Sequence, residues 1–332
     1  MSDEANSLLR RKIMGFVVAQ AIHAVTEAGV VDALAGGPRP VPELAVATGT
    51  DPDALHRFLR ALAGEGLFVE DPPGVFALTE VGALLRSDVA GSLRHFSTLM
   101  VGEAYQVWEL AGHSLRTGRA AYPVRFGQPL FDWLAEHPDK AAEFNAAQAG
   151  LVRLRLVPLL DRDWTGVRTV VDIGGGNGTL LSHLLPRHEH LRGVLLDLPH
   201  VAAQAAKTLA GAGLADRVDC RAGNFFAGVP AGADAYVLAQ ILHDWDDERA
   251  AAILHGVRAA MPDHGRLLVL EQAITEDNRP HPAKLLDLHM LLLLGGRERT
   301  ESDWHALLGK AGFTVSAITH HARSSLIEAA PA

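Results

Sequence analysis

Residues 169–179 read TVVDIGGGNGT, and this stretch decides the fold. The apolar run ending at Ile173 predicts a buried strand, the glycines at positions 174, 175, 176 and 178 predict a tight turn, and the leucines from Leu180 onward predict a helix. Glycine is needed where the backbone turns with positive φ or approaches a ligand closely, and a helix N-terminus offers free N–H donors. The stretch therefore predicts a strand–turn–helix unit that binds a nucleotide-like ligand. A glycine turn without a ligand is the alternative.

The spacing of these glycines separates two classes of nucleotide site. A dinucleotide fingerprint requires G-x-G-x-x-G, but after Gly174 and Gly176 the third position falls on Thr179. The sequence instead has D-x-G-x-G-x-G, formed by Asp172, Gly174, Gly176 and Gly178. A dehydrogenase that binds a nicotinamide cofactor is therefore disfavoured.

Composition indicates a globular chain long enough for two ordinary domains. Of its 332 residues, 48% are hydrophobic and 21% are charged, and the net charge of −9 disfavours a nucleic-acid partner. The single cysteine, Cys220, excludes a disulfide framework within the chain and fits a reducing cytoplasm. The polar N-terminus shows no secretory signal, and the apolar runs are too short for a membrane span, so we expect a cytoplasmic protein. The 17 histidines form no metal-binding motif, so we expect no metal.

The N-terminal third carries two helical patterns. Residues 8–35 place apolar side chains at helical spacing. In residues 41–85, Gly49 ends one helix, Asp51 caps the next, and two short runs predict a β-hairpin. This order is typical of a winged helix, so a DNA-binding regulator that senses a small aromatic molecule is an alternative function. The second helix mixes acidic and basic residues, which is a poor match to the phosphate backbone of DNA.

The remainder predicts a helical region followed by alternating strands and helices. Residues 92–160 interleave helices with aromatic residues that either wall an apolar pocket or pack a core. Beyond residue 167, strands are predicted at 169–173, 193–196, 217–221, 235–239, 266–272, 313–319 and 324–328. This alternation predicts an α/β fold with a doubly wound parallel sheet, which binds its ligand at the carboxyl ends of the strands. We expect a mainly helical winged-helix domain (1–95), a helical connector lining the substrate pocket (96–163) and a Rossmann-like catalytic domain (164–332).

Two strand ends carry side chains suited to a nucleoside. Asp197 ends the second strand, where a carboxylate can accept hydrogen bonds from both ribose hydroxyls. After the third strand, Asn224 can bond to the edge of adenine and Phe225 can cover its face.

A second motif, LAQILHDWDDE at residues 238–248, places His243 at the carboxyl end of the fourth strand. A histidine with a pKa of about 6.5 can take the proton of a phenol. Its other ring nitrogen then needs an acceptor, for which Glu271 and Glu298 are candidates. The acids at positions 246–248 are explained as the cap of the next helix.

Together these motifs resemble the S-adenosylmethionine-dependent O-methyltransferases of the plant caffeate/flavonoid type, in their bacterial branch that modifies aromatic polyketides and antibiotics. The resemblance covers nearly the whole chain, through DIGGGNG, LLDLPHV, GNFF, LHDWDDE, LVLEQ and DLHMLLLLGGRERT in that order. Within this branch, a hydroxynaphthoate O-methyltransferase of enediyne biosynthesis is one candidate that the chain resembles.

The resemblance implies the class I methyltransferase fold, S-adenosylmethionine as cofactor with S-adenosylhomocysteine as product, and methylation of a phenolic hydroxyl on a small aromatic substrate. It also implies a homodimer formed through the N-terminal domain, without a nucleic-acid or membrane partner. The implied base is His243, braced by Glu271 and Glu298. The implied cofactor-binding residues are Asp172, Gly174, Gly176, Asp197, Leu198, Asn224 and Phe225, and the implied substrate-binding residues are Trp108, Asn145, Asp244 and Met290.

The chain departs from this pattern at several positions. Asn224 stands where relatives often have aspartate, Ala239 where some carry a lysine, and Gln148 where many have methionine. Some relatives with this fold bind the cofactor but have lost methyl transfer, so another chemistry, such as hydroxylation, is a second possible function.

Arg11 leads to a hypothesis about the substrate. If the N-terminal helix reaches the pocket of the partner subunit, as the resemblance implies, its guanidinium can pair with a substrate carboxylate. The acceptor is then a hydroxy-aromatic acid, such as a hydroxynaphthoate or a hydroxybenzoate.

Overall fold

The computed structural model describes residues 3–332, except for the side chains of residues 149–154. The chain forms two compact units. The first unit comprises Met1–Gln106 and Ala142–Leu151, and the second comprises Val107–Ala141 and Val152–Ala332. None of the helices within the described part of the chain combines the length and apolar character needed to cross a bilayer.

The first unit is built from short helices and a small sheet. Its elements in chain order are α1 (Asp3–Ile13), α2 (Gly15–Glu27), α3 (Val30–Ala33), β1 (Arg39–Pro40), α4 (Val41–Thr48), α5 (Pro52–Gly64), β2 (Phe68–Glu70), β3 (Val75–Leu78), α6 (Glu80–Ala83) and α7 (Arg94–Val101). The antiparallel strands have the order β1–β3–β2. The predicted helix–turn–helix with a following hairpin is confirmed.

Local sequence explains how α4 and α5 meet. Gly49 ends α4 with a φ of 65°, a conformation that glycine adopts without strain. Asp51 caps α5, because its side chain accepts a hydrogen bond of 2.8 Å from the backbone nitrogen of Ala54. The amphipathic face of α5 is buried through Leu55, Leu59 and Leu62.

The N-terminal pattern of residues 8–35 is divided among three helices. Gly29, with a φ of 76°, separates α2 from α3. Helix α1 buries none of its residues, and Leu8, Leu9 and Ile13 are each more than half exposed. Within its own unit, α1 therefore leaves its apolar side chains uncovered.

The second unit contains the larger sheet and the helices that cover it. Helices α8 (Glu103–Trp108) and α12 (Pro138–Arg155) have residues in both units. The other helices of the second unit are α9 (Ala111–Thr117), α10 (Tyr122–Phe126), α11 (Leu130–Glu136), α13 (Val157–Leu160), α14 (Thr179–Leu184), α15 (Pro199–Gly211), α16 (Asp247–Ala260), α17 (Pro282–Leu294) and α18 (Glu301–Lys310). Its strands are β4 (Thr169–Ile173), β5 (Arg192–Asp197), β6 (Val218–Ala222), β7 (Ala235–Ala239), β8 (Arg266–Glu271), β9 (Ala273–Ile274), β10 (Arg299–Thr300), β11 (Phe313–His320) and β12 (Ser325–Pro331).

The large sheet of the described chain has the strand order β11–β12–β8–β7–β4–β5–β6. Strands β4 to β8 run parallel, but β12 runs antiparallel to β8, and β11 antiparallel to β12. The sheet is therefore mixed, which corrects the parallel sheet expected from sequence. The reason is that β11 and β12 form a hairpin, and a tight hairpin can join only antiparallel strands.

The parallel strands bring several chain segments to one edge of the sheet. Their carboxyl ends at Ile173, Asp197, Ala239 and Glu271 lie on the same side, because β4, β5, β7 and β8 pair in register. The central strands are buried on both faces, as expected for a sheet covered by helices. The residues that follow these strand ends form the candidate site.

A fully buried tyrosine links β7 to two neighbouring segments. The hydroxyl of Tyr236 lies 2.9 Å from the carbonyl oxygen of Pro230 and 3.0 Å from that of Ala260.

We expect Tyr236→Phe to destabilise the second unit by about 1–3 kcal/mol, because the buried carbonyl groups lose their hydrogen-bond donor. Urea denaturation measures this change. Tyr105→Phe removes a hydroxyl from a half-buried tyrosine of the first unit and is the control. Equal midpoints for Tyr236→Phe and the wild type would contradict the structural role of the hydroxyl.

Candidate active site

The turn after β4 depends on glycine. Gly174, Gly176 and Gly178 have φ values of 68°, 57° and 82°, which residues with side chains rarely adopt. A Cβ atom at Gly174 would lie 2.5 Å from Cδ1 of Ile241, whereas one at Gly176 would meet no atom within 4 Å. The turn is therefore packed against the segment after β7 and open beside Gly176.

Asp197 lies next to this turn, at the end of β5. Its Oδ2 accepts a hydrogen bond of 2.8 Å from the backbone nitrogen of Gly176, and its Oδ1 accepts one of 2.7 Å from that of Leu198. Burial raises the pKa of this carboxyl, and the two backbone bonds oppose the rise. A carboxylate beside an open glycine turn is suited to accept hydrogen bonds from ribose hydroxyls, and contact between Asp197 and a ribose stays a prediction.

Asp172 is packed against the backbone of the glycine turn. The residue is 2% exposed, and its Oδ2 has no hydrogen-bond partner among the described residues. Burial, together with the charge of Asp197, raises the pKa of Asp172 to about 7. A Cβ atom at Gly175 would lie 2.7 Å from Oδ2, so the carboxyl leaves no room for a side chain there. Contact between Asp172 and the cofactor stays a prediction.

The two residues predicted to hold adenine follow β6. Asn224 is exposed, and its Oδ1 accepts a hydrogen bond of 2.9 Å from the backbone nitrogen of Phe226. The ring of Phe225 is beside the glycine turn, since its Cε1 lies 3.8 Å from the position of a Cβ atom at Gly174. The open turn, the Asp197 carboxylate and the Phe225 ring together fit a nucleoside cofactor with a ribose and an aromatic base.

His243 lies in the 3-10 turn Leu242–Asp244, which begins three residues after the last residue of β7, and is 5% exposed. Its Nδ1 lies 2.7 Å from Oε1 of Glu298, and its Nε2 lies 3.3 Å from Oδ1 of Asp244. An ionised glutamate can only accept a hydrogen bond, so Nδ1 carries the proton of the neutral ring. Nε2 then has the lone pair that a general base needs.

Glu271 binds the backbone that carries this histidine. Its Oε1 accepts hydrogen bonds from the backbone nitrogens of Ile241, Leu242 and His243 at 3.0, 2.9 and 3.4 Å. Its Oε2 lies 3.7 Å from Nδ1 of His243, beyond hydrogen-bond distance. The two predicted acids therefore have different contacts, because Glu298 holds the imidazole and Glu271 holds the turn.

The charges around His243 correct the expectation that it titrates near its ordinary pKa. Burial lowers the pKa of His243, but the negative charges of Glu271, Glu298 and Asp244 outweigh this and raise it to about 10. Burial also raises the pKa of Asp244 to about 6. The surrounding acids therefore favour the protonated imidazole, and the basic form grows as the pH rises.

Arg299 is a site residue that the sequence analysis did not identify. It is fully buried, and its guanidinium donates hydrogen bonds to the carbonyl oxygens of Leu242 at 2.8 Å and Trp245 at 2.9 Å. These carbonyls flank His243, so Arg299 fixes both sides of its turn. The feature of the sequence that could have indicated Arg299 is its position next to the candidate acid Glu298, because a buried arginine requires polar partners.

The predicted substrate-binding residues are divided between the two units. In the second unit, Met290 is buried on α17, Asp244 adjoins Nε2 of His243, and Trp108 donates a long bond of 3.4 Å to His289 on α17. Arg11 and Asn145 belong to the first unit, where both are exposed. Contact between these residues and a substrate stays a prediction.

A doubly wound sheet with a glycine turn after its first strand and an acid at the end of the next defines an α/β protein of the class I methyltransferase type. Comparison with known families agrees. Residues 108–314 match the O-methyltransferase domain, and residues 11–88 match the O-methyltransferase dimerisation domain. The chain belongs to the O-methyltransferase family.

Relatives extend over nearly the whole chain. A phenazine O-methyltransferase from Lysobacter antibioticus is 41% identical over 98% of this chain and 96% of its own length. A 3-amino-4-hydroxybenzoate 4-O-methyltransferase from Streptomyces cremeus is 41% identical over 96% of this chain and 87% of its own. The O-methyltransferase NcsB1 from neocarzinostatin biosynthesis, solved with S-adenosylmethionine and 2-hydroxy-5-methyl naphthoic acid, is 36% identical with a TM-score of 0.83, covering 95% of this chain and 96% of that one. The predicted family, methyltransferase fold and cofactor are confirmed.

We expect Glu298→Gln to lower the pKa of His243, because the amide oxygen still accepts from Nδ1 but carries no charge. An NMR titration of the histidine ring nitrogens measures this, with His243 assigned through His243→Asn. Glu301→Gln is the matched control, since it removes a carboxylate 2.7 Å from Nε2 of the exposed His320. It should leave the titration of His243 unchanged. A titration of His243 that Glu298→Gln leaves unchanged would refute the charge interaction.

Proposed function

We propose that this protein methylates a phenolic hydroxyl of an aromatic small molecule, with His243 as the general base. The bond of 2.7 Å between Nδ1 of His243 and Oε1 of Glu298 carries the proposal. It fixes the orientation of the ring and leaves Nε2 to accept a proton. The contacts of Glu271 and Arg299 with the same turn support a base held in one position.

S-adenosylmethionine supplies a methyl group on a positively charged sulfur. Gly174 and Gly176 would hold its methionine part, Asp197 its ribose, and Asn224 and Phe225 its adenine. Nε2 of His243 takes the proton of the acceptor hydroxyl, which makes the oxygen a stronger nucleophile. Alignment of this oxygen and exclusion of water contribute the rest of the rate.

The acids around His243 stabilise the imidazolium that forms. As Nε2 gains a proton, Asp244 lies 3.3 Å from it, and Glu298 retains its bond to Nδ1. Both charges lie in a buried site, where electrostatic interactions are stronger than in water. The raised pKa of His243 therefore makes Nε2 a stronger proton acceptor.

We further propose that the acceptor is an aromatic acid and that the protein works as a homodimer. The names of two relatives support the acid, since one acts on an aminohydroxybenzoate and another was solved with a naphthoic acid. The match to a dimerisation domain and the uncovered apolar side chains of α1 support the dimer. In such a dimer, Arg11 on α1 would pair with the substrate carboxylate. The cytoplasmic location stays a prediction from the sequence.

Calorimetry with S-adenosylmethionine and S-adenosylhomocysteine tests the cofactor site. The wild type should bind both, and Asp197→Ala should weaken binding at least about tenfold, because hydrogen bonds to a charged group are lost. Asp219→Ala, which removes an exposed partner of Arg221, is the matched control and should bind normally. His243→Ala should bind both ligands but lose methyl transfer about 10²- to 10⁴-fold.

Several outcomes would contradict this function. Failure of the folded wild type to bind either ligand would remove the cofactor assignment, and near wild-type turnover by His243→Ala would remove the base. A hydroxylated product would favour the alternative chemistry over methyl transfer. The expectation that no metal takes part stays a prediction, which turnover in the presence of EDTA would support.

The role of Arg11 has a kinetic test. Arg11→Ala should raise KM for hydroxy-aromatic acids at least about tenfold, since a charge-assisted pair is lost, but leave KM for the corresponding amides little changed. Arg10→Ala, which removes the neighbouring guanidinium on α1, is the control and should leave both values unchanged. Equal effects of Arg11→Ala on acids and amides would refute the proposed pair.

A further inference from the structure

Gln240 has an unusual backbone conformation. Its φ of 59° is the only positive value among the non-glycine residues that the structure describes. Gln240 lies between the end of β7 and the 3-10 turn that carries His243. A residue with a side chain in this region costs about 1–3 kcal/mol and persists only where its surroundings require it.

The side chain of Gln240 joins the half-buried Arg155 to the end of β8. Its Oε1 accepts a hydrogen bond from Nη1 of Arg155. Its Nε2 donates to the carbonyl oxygen of Leu270 at 3.0 Å and to Oε2 of Glu271 at 3.1 Å. Both N–H groups and the oxygen of the amide are therefore in use, and no simple rotation of the amide preserves these contacts.

The hydrogen bond between Gln240 and Glu271 determines which N–H groups the Glu271 carboxylate can bind near His243. Oε1 of Glu271 is occupied by the amides of the turn, and Oε2 lies 3.7 Å from Nδ1 of His243 while it accepts from Gln240. Without the Gln240 amide, Oε2 would lose its hydrogen-bond donor and could turn toward Nδ1, which lies 3.7 Å away. It would then compete with Glu298, whose Oε1 lies 2.7 Å from the same nitrogen.

We propose that Gln240, held by Arg155, is a positioning residue that keeps Glu271 away from Nδ1 of His243, so that Glu298 alone orients the imidazole. This inference rests on the proposed role of His243 for its kinetic consequence, but its structural consequence is measurable without turnover. Burial lowers the pKa of Arg155, but the negative charges of Glu298 and Glu271 oppose this fall. Arg155 therefore places a positive charge near these two buried acids.

The charged groups near His243 come from several elements. They are Asp244 in its own turn, Glu271 on β8, Glu298 just before β10, Arg299 in β10, Arg155 on α12, Asp287 on α17 and Arg323 before β12. Asp287 accepts a hydrogen bond of 2.8 Å from the backbone nitrogen of Glu298, and the charge of Arg323 acts on Arg155. Glu298 and Glu271 are the two acids within 4 Å of Nδ1. The competition for this nitrogen is therefore between these two carboxylates.

Gln240→Gly and Gln240→Asn separate the side chain from the backbone strain. Glycine adopts positive φ without cost, so Gln240→Gly removes the amide and relieves the strain at once. Asparagine tolerates this region better than most residues, but its shorter amide cannot span the same partners. Gln272→Ala is the matched control, because Gln272 follows Glu271 in sequence and its side chain bonds to no described residue.

The first readout is the proton NMR resonance of Nδ1–H of His243, which its short bond to Glu298 shifts downfield. In the full-length protein, we expect both Gln240 variants to move this resonance, and Gln272→Ala to leave it in place. The second readout is kinetic. Turnover of the Gln240 variants should fall about 10- to 100-fold, which is the usual cost of removing a residue that orients a functional side chain. KM for the acceptor should stay unchanged.

Arg155 provides an independent test of the same connection. Arg155→Met should move the Nδ1–H resonance as Gln240→Gly does, and the double variant should be no worse than either single variant, because both break one chain of contacts. Arg155→Lys keeps the charge and should retain part of the effect of the arginine. Additive losses would overturn the proposed connection.

The outcomes separate this inference from the proposed function. An unmoved resonance and normal kcat in a folded Gln240→Gly protein would overturn the positioning role. If Gln240→Gly does not fold, the same two readouts on Gln240→Asn decide. If the wild type methylates no acceptor but the resonance moves in the Gln240 variants, the positioning role stands and the proposed function fails.

Discussion

The buried carboxylate of Glu271 is the constraint on which the site depends. A buried charge is strongly unfavourable unless hydrogen bonds and opposite charges compensate for it. Three consecutive backbone amides after β7 supply these hydrogen bonds through Oε1. Amides at the start of a helical turn lack partners within the turn, so they need an external acceptor when they are buried. The carboxylate and the turn therefore stabilise each other, and the position of His243 follows from this contact.

Two arginines complete this arrangement in different ways. Arg299 donates to the carbonyls on either side of His243, whereas Arg155 acts on Glu271 through the side chain of Gln240. Both place positive charge near the buried acids Glu271 and Glu298. Removing one member of such a group leaves the others unbalanced, which is costlier than the loss of a single exposed ion pair. The site is therefore expected to respond to substitution as a unit rather than residue by residue.

Sequence reasoning succeeded where the determining interactions are local. The strand β4, the glycine turn and the cap at Asp51 follow from apolar runs, positive φ and a side chain that bonds three residues away. Gln240 and Arg155 could not be found in this way, since they are 85 residues apart and a positive φ at glutamine has no sequence pattern. Arg299 bonds to backbone carbonyls, which every residue possesses. The mixed sheet was missed because strand direction depends on the tertiary path of the chain.

The difference between Glu271 and Glu298 shows why a base can require two acids. Hydrogen bonds act over a short range and fix direction, whereas charge interactions fall off slowly with distance. Glu298, at 2.7 Å from Nδ1, can therefore orient the ring, and Glu271, at 3.7 Å, can raise the pKa of His243 without taking that bond. If both oxygens reached Nδ1, the ring would have two competing orientations and Nε2 would lose its fixed position. Because Glu271 lies farther from Nδ1 (3.7 Å) than Glu298 does (2.7 Å), basicity and orientation can be set by different residues.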